Sequence, residues 1–123
     1  MREAMAEFHK IARADEVPPG EVKQYTVEGR PVALCNVGGE LYAFEDICTH
    51  QYAHLSEGKL EDALIRCPLH GATFDVRTGE AKSLPAVKPV PTHTVRVEDG
   101  FVYVALNPKQ VKVGRRRRGR GRR

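Results

Sequence analysis

The sequence predicts an all-β domain. No long stretch sustains an apolar period of 3.6 residues, and short apolar runs separated by turn residues recur at close spacing. Thr92 to Glu98 alternates, with Thr92, Thr94, Arg96 and Glu98 on one side and His93, Val95 and Val97 on the other.

Phe8 to Ala12 reads as the first strand. ADEVPPGE follows as a turn, with room for one helical turn before the prolines. Val22 to Val27 is a strand, Glu28-Gly29 a tight turn, and Pro31 to Val37 a strongly apolar strand. Gly38-Gly39 suits a two-residue hairpin because glycine accepts positive φ. Glu40 to Phe44 then pairs back. The middle, from about Asp46 to Pro85, is rich in loops, with short strands at Ala63–Arg66, Thr73–Asp75 and Glu80–Lys82 and a turn at Thr78-Gly79. Asp99-Gly100 turns the strand from Thr92 into a final strand, Phe101 to Leu106.

A chain of 123 residues suggests one domain, expected over residues 1–108. Residues 109–123 form an Arg-rich tail too poor in apolar surface to fold, so disorder is expected. Of the 20 basic residues, seven are arginines within 114–123; the rest of the chain holds 13 basic and 16 acidic residues. The body is therefore mildly acidic. Three cysteines make a poor disulfide framework, and Cys35 in PVALCNV reads as a small core residue. That usage suits a reducing cytosol. MREAMAEFHK has no apolar run suited to a secretory signal, and no segment has 18 consecutive apolar residues. The expectation is a soluble, cytoplasmic protein without membrane contact.

The chemistry sits in two short loops. Cys48-x-His50 and Cys67-x-x-His70 each offer one thiol and one imidazole, with 16 residues between His50 and Cys67. Four such donors suit either one tetrahedral Cys₂His₂ zinc or a two-iron, two-sulfide cluster with cysteines on one iron and histidines on the other. Structural zinc sites usually pair like with like, as C-x₂₋₄-C and H-x₃₋₅-H. A lone residue between Cys48 and His50 suits better a loop that sends one ligand to each of two metal atoms. Gly71 gives the second loop backbone freedom, Pro68 stiffens it, and Pro85 could cap the site. His54, His9 and His93 read as surface or strand residues.

C-T-H, the gap and C-P-L-H-G resemble the Rieske [2Fe–2S] signature. ARADEVPPGE, GRPVALCNVGGELYAFEDICTH, LSEG, CPLHGATFDVRTGEAKSLPA and VRVEDGFVYVAL extend the similarity to soluble Rieske ferredoxins over about Phe8 to Leu106. The resemblance implies an antiparallel β-sandwich with an inserted cluster-binding subdomain, about residues 46–85, at one tip. It implies that Cys48 and Cys67 bind a buried iron of one [2Fe–2S] cluster, and that His50 and His70 bind the outer iron. Respiratory members carry an extra disulfide between the loops. Here the corresponding positions are Ala53 and Leu69. That difference points to the ferredoxin branch, for which a potential near the negative end of the Rieske range, about −150 to +300 mV, is expected.

With four protein ligands such a cluster has no open site for substrate, so the expectation is an electron carrier and no enzyme. By resemblance it would pass electrons from a flavin-dependent ferredoxin reductase to the terminal oxygenase of an aromatic-ring dioxygenase. Leu55, Pro68, Leu69 and Pro85 would form an apolar docking collar, with the acidic body steering partners. Two alternatives stand beside this. One is the small Rieske subunit of a nitrite reductase. The other is a metal-stabilised module whose Arg-rich tail binds nucleic acid or an acidic partner, although no aromatic residues interleave the arginines for base stacking.

Overall fold

The computed structural model describes residues 7–49, 53–69, 71–84 and 88–107. Among the described residues nine strands form: β1 (Phe8–Arg13), β2 (Val22–Val27), β3 (Arg30–Val37), β4 (Glu40–Glu45), β5 (Lys59–Glu61), β6 (Leu64–Arg66), β7 (Thr73–Asp75), β8 (Thr92–Glu98) and β9 (Phe101–Ala105). Helical structure among the described residues is limited to 3-10 turns at Ala14–Glu16 and Leu55–Glu57. No described helix is long and apolar enough to cross a membrane.

All three two-residue hairpins expected from the sequence form. Val27 pairs with Arg30, Val37 with Glu40 and Glu98 with Phe101. Both central residues of each turn have positive φ: 52° and 79° at Glu28-Gly29, 62° and 101° at Gly38-Gly39, 53° and 80° at Asp99-Gly100. Such turns match the right-handed twist of the strands they join.

The strands form a six-stranded antiparallel sheet, in order β1-β9-β8-β4-β3-β2, and a three-stranded sheet, β5-β6-β7. The large sheet is jointed where β4 meets β8, since only Ala43↔His93 and Phe44↔Thr92 pair there. Its two halves fold over one another around Ala12, Val17, Val27, Val32, Leu34, Ala43, Val102 and Val104. The outer strands β1 and β2 thereby meet, and His9 Nε2 lies 2.6 Å from Glu28 Oε2 across that seam.

The other face of β3 and β4 supports the small sheet. Ala33, Cys35 and Phe44 pack there with Leu55, Ile65, Phe74, Val76 and Val90. This explains the unbroken apolar run PVALCNV: β3 is buried on both faces and has no solvent side to be polar on. Cys35 is a core residue, as its context suggested, and burial pushes its thiol up to about 12.

Three expectations need correction. Glu80–Lys82 is no strand; only Ala81 bridges, to Phe74. The Asp75 carbonyl accepts the Gly79 N–H at 2.6 Å, and past this turn two backbone bonds, from the Asp75 N–H to the Glu80 carbonyl at 2.9 Å and from the Lys82 N–H to the Thr73 carbonyl at 2.8 Å, hold the segment against β7. Lys59–Glu61, assigned to loop, is strand β5. Its one inward residue, Leu60, is too little for a periodicity signal. Third, the alternation of β8 does not bury its whole apolar side, because Val97 is 48% exposed near the hairpin tip.

His93 is more than an ordinary strand residue. Its side chain is fully buried, and Nδ1 accepts the Asn107 N–H at 3.1 Å. Nε2 therefore carries the proton, which it donates to Glu45 Oε1 at 3.0 Å. Arg30 Nη2 donates to the same oxygen at 2.7 Å. These bonds close the joint that the short β4–β8 ladder leaves weak.

Phe44 is fully buried where the two sheets pack. Phe44→Ala is expected to cost about 3–5 kcal/mol of stability, read as a lower urea midpoint. Burial pushes the Glu45 carboxyl up, but the bonds from His93 and Arg30 outweigh it and hold it below the usual range. Its contribution is full above the unfolded value of 4.5 and is lost as pH falls through the lower folded value. Urea midpoints measured across that acid range should fall less steeply for Glu45→Gln than for the native chain.

Candidate metal centre

Three loops converge beside the small sheet. The first runs from the end of β4 to β5 and carries Cys48. The second joins β6 to β7 and carries Cys67. The third runs from about Ser83 to Pro91, between β7 and β8.

The two cysteine loops close in the same way. The Cys48 N–H donates to the Ala53 carbonyl at 2.9 Å, and the Cys67 N–H to the Ala72 carbonyl at 2.7 Å. Each bond spans five residues and pins the cysteine at a loop base. Both thiols are buried, at 2% and 1% exposure, within one apolar cluster with Ala53, Leu55, Ile65, Ala72 and Phe74. Gly71 has φ +78°, a conformation costly for a side chain, and its N–H donates to the Cys67 carbonyl at 3.2 Å.

Further bonds set the loops against one another. Thr49 Oγ1 donates to the Lys88 carbonyl at 2.8 Å, tying the first loop to the third. Ser83 Oγ lies 3.0 Å from the Thr73 N–H and 2.8 Å from Thr73 Oγ1, tying the third to the second. Arg66 Nη1 donates to the Gly71 carbonyl at 3.1 Å. Where the first loop enters β5, a Cβ on Gly58 would lie 1.8 Å from the Arg66 carbonyl oxygen, so only glycine lets these strands approach.

Asp46 anchors the first loop from beneath. Its side chain is fully buried. It accepts from the Ser56 N–H and Ser56 Oγ, each at 2.6 Å, and from Gln24 Nε2 at 2.7 Å. His54 belongs to this node and is only partly exposed: Nδ1 lies 3.1 Å from the Asp46 carbonyl oxygen and 3.2 Å from Gln24 Nε2.

Of the expected ligands, Cys48 and Cys67 are both buried and belong to one apolar cluster. His50, His70 and the capping Pro85 lie outside the described residues, as does the tail at 109–123. The expected collar is partly corrected. Pro68 and Leu69 are exposed, Leu69 by 57%, but Leu55 is fully buried core. Leu84, 77% exposed, was not anticipated; it follows Ser83 in the third loop and carries no periodic signal. Ala53 is buried while Leu69 points to solvent, so those two positions do different structural work.

The donors present fit a [2Fe–2S] group. Iron–sulfur clusters are held by thiolates, and these two thiols sit in matched loops that give each the same backbone support. Low solvent access and loop amides are what tune such a centre.

Comparison with known proteins gives the same picture. A family model described as the Rieske [2Fe-2S] domain matches residues 7–94. The biphenyl 2,3-dioxygenase ferredoxin component of Rhodococcus jostii (strain RHA1) is 45% identical over 97 residues, covering 79% of this chain and 91% of that protein. The ferredoxin of carbazole 1,9a-dioxygenase from Nocardioides aromaticivorans IC177 superposes with TM-score 0.80 at 34% identity, over 83% of this chain and all of that one. A chain in the complex of reduced oxygenase and oxidized ferredoxin in carbazole 1,9a-dioxygenase gives TM-score 0.77 at 41% identity, over 80% of this chain and 92% of that one.

Gly58→Ala forces β5 and β6 apart at the foot of the first loop. It is expected to lower iron and acid-labile sulfide content well below the native value, measured by colorimetric assay on freshly purified protein.

Proposed function

Because the chain belongs to the Rieske [2Fe–2S] domain family, we propose that it carries single electrons to a terminal oxygenase of the aromatic-ring dioxygenase type. The observation that carries this reading is the pair of matched loops that bury Cys48 and Cys67. The relatives support it, being named ferredoxin components of dioxygenases, one of them in complex with its oxygenase. They favour an oxygenase over a nitrite reductase as acceptor. The chain is thus an electron-transfer component of a multicomponent system and does not itself turn over substrate.

The protein holds one [2Fe–2S] cluster, which when bound takes up and releases one electron. Cys48 and Cys67 are assigned to one iron, inside the apolar core, and His50 and His70 to the other. Burial of the sulfur donors and the exposure of Pro68 and Leu69 beside them support that polarity. Leu69 and Leu84 supply exposed apolar surface at the loop end, suited to the small contact area of a brief redox encounter. A flavin-dependent ferredoxin reductase is the proposed donor. The cysteine usage supports a cytoplasmic location. The nucleic-acid reading rests on the Arg-rich tail alone, and no described residue favours it.

Freshly isolated protein should contain iron and acid-labile sulfide in equal amounts and give a rhombic EPR signal once reduced. Zinc in place of iron would overturn the reading. For His50→Cys or His70→Cys with an assembled cluster, the added thiolate charge is expected to shift the midpoint potential negative. An unchanged redox titration would remove the imidazoles from the ligand set.

A further inference from the structure

Asp46 stands two residues before Cys48, and its side chain is fully buried. Buried carboxylates are costly unless their oxygens are satisfied. Here the satisfaction comes from neutral donors: the Ser56 N–H and hydroxyl at 2.6 Å each, and the Gln24 amide at 2.7 Å. The Ser56 N–H donates to Oδ1 and the Gln24 amide to Oδ2, so both oxygens accept a short bond, the arrangement a carboxylate favours. The nearest imidazole, that of His54, has Nδ1 3.6 Å from Oδ2.

The partners lie on separate elements. Gln24 is on β2 of the large sheet, and Ser56 is in the 3-10 turn ten residues along the first loop. The Asp46 main chain adds a third tie, its N–H donating to the Pro31 carbonyl at 3.0 Å. One residue thus clamps both ends of the Cys48 loop and fixes them to the strands beneath. An apolar side chain could fill the space, but it could not hold three donors at once.

A fixed negative charge inside the protein opposes the arrival of an electron nearby, because little water intervenes to screen it. Net charge and hydrogen bonding are established levers on iron–sulfur potentials. We propose that Asp46 positions the first ligand loop and, as a buried anion beside Cys48, holds the potential of the bound centre down. This rests on the electron-carrier function proposed above. Asp46 is a positioning residue, acting through Cys48 and the field at the site.

Redox titration of the full chain with EPR detection, run at one fixed pH for all variants, tests this. Asp46→Asn keeps the shape and removes the charge; Ser56 Oγ and the Gln24 amide can both turn to meet the new NH₂. Its potential is expected to move positive with native iron content. Ser56→Ala keeps the charge but strips one donor from it, so the potential is expected to move negative. A loop that had merely loosened would move both variants the same way. Shifts of one sign, or no shift in Asp46→Asn, would overturn the proposal. Should Asp46→Asn retain no iron, the sign of the Ser56→Ala shift decides alone, a negative shift supporting the proposal and any other result overturning it. Native protein lacking iron and sulfide would defeat the functional reading itself and this inference with it, an outcome separate from native iron with unmoved potentials.

Discussion

Strand β3 has no solvent face. Val32 and Leu34 point into the core between the halves of the large sheet, and Ala33 and Cys35 point into the core under the small one. Because side chains alternate along a strand, a slip of one residue would exchange the two sets. It would drive Leu34 into space shaped for alanine and leave voids opposite. The register of β3 against β2 and β4 is therefore held by packing on both sides, and the loops that rest on its outer face inherit that register.

The site is built mostly from backbone. Both cysteines are held by their own N–H groups, each bonded to a carbonyl five residues on; the loops are laced together through Thr49 and Ser83, and Arg66 braces the second loop from within. A metal centre gains from this arrangement. Amide bonds place the donors before the metal arrives, and an apolar surround keeps water away from the sulfurs. The exposed residues Pro68, Leu69 and Leu84 lie on the outward parts of the same loops, so burial of the donors and display of a docking surface follow from one fold.

Polar groups decide where the loops begin. Glu45 and Asp46 are neighbours in the chain yet serve different joints. Glu45 bonds Arg30 and His93, closing the large sheet where its ladder is shortest; Asp46 bonds Gln24 and Ser56, closing the first loop. Successive side chains at the end of β4 point to opposite faces, which lets two adjacent acids act on two separate cores.

Much of this was legible in the residues alone. The strands of the large sheet, the three two-residue hairpins and the placing of Cys48 and Cys67 in short loops all rest on local signals: alternation, glycine at turns and short ligand spacing. Those signals operate within a few residues, where chain connectivity limits the choices. The partners of Asp46, the burial of His93 and Leu55, the bridge that replaces a strand at Ala81 and the close approach at Gly58 were set by tertiary structure. Each depends on contact between segments from seven to nearly fifty residues apart, and a one-dimensional pattern carries no record of which separated groups will share one low-dielectric space.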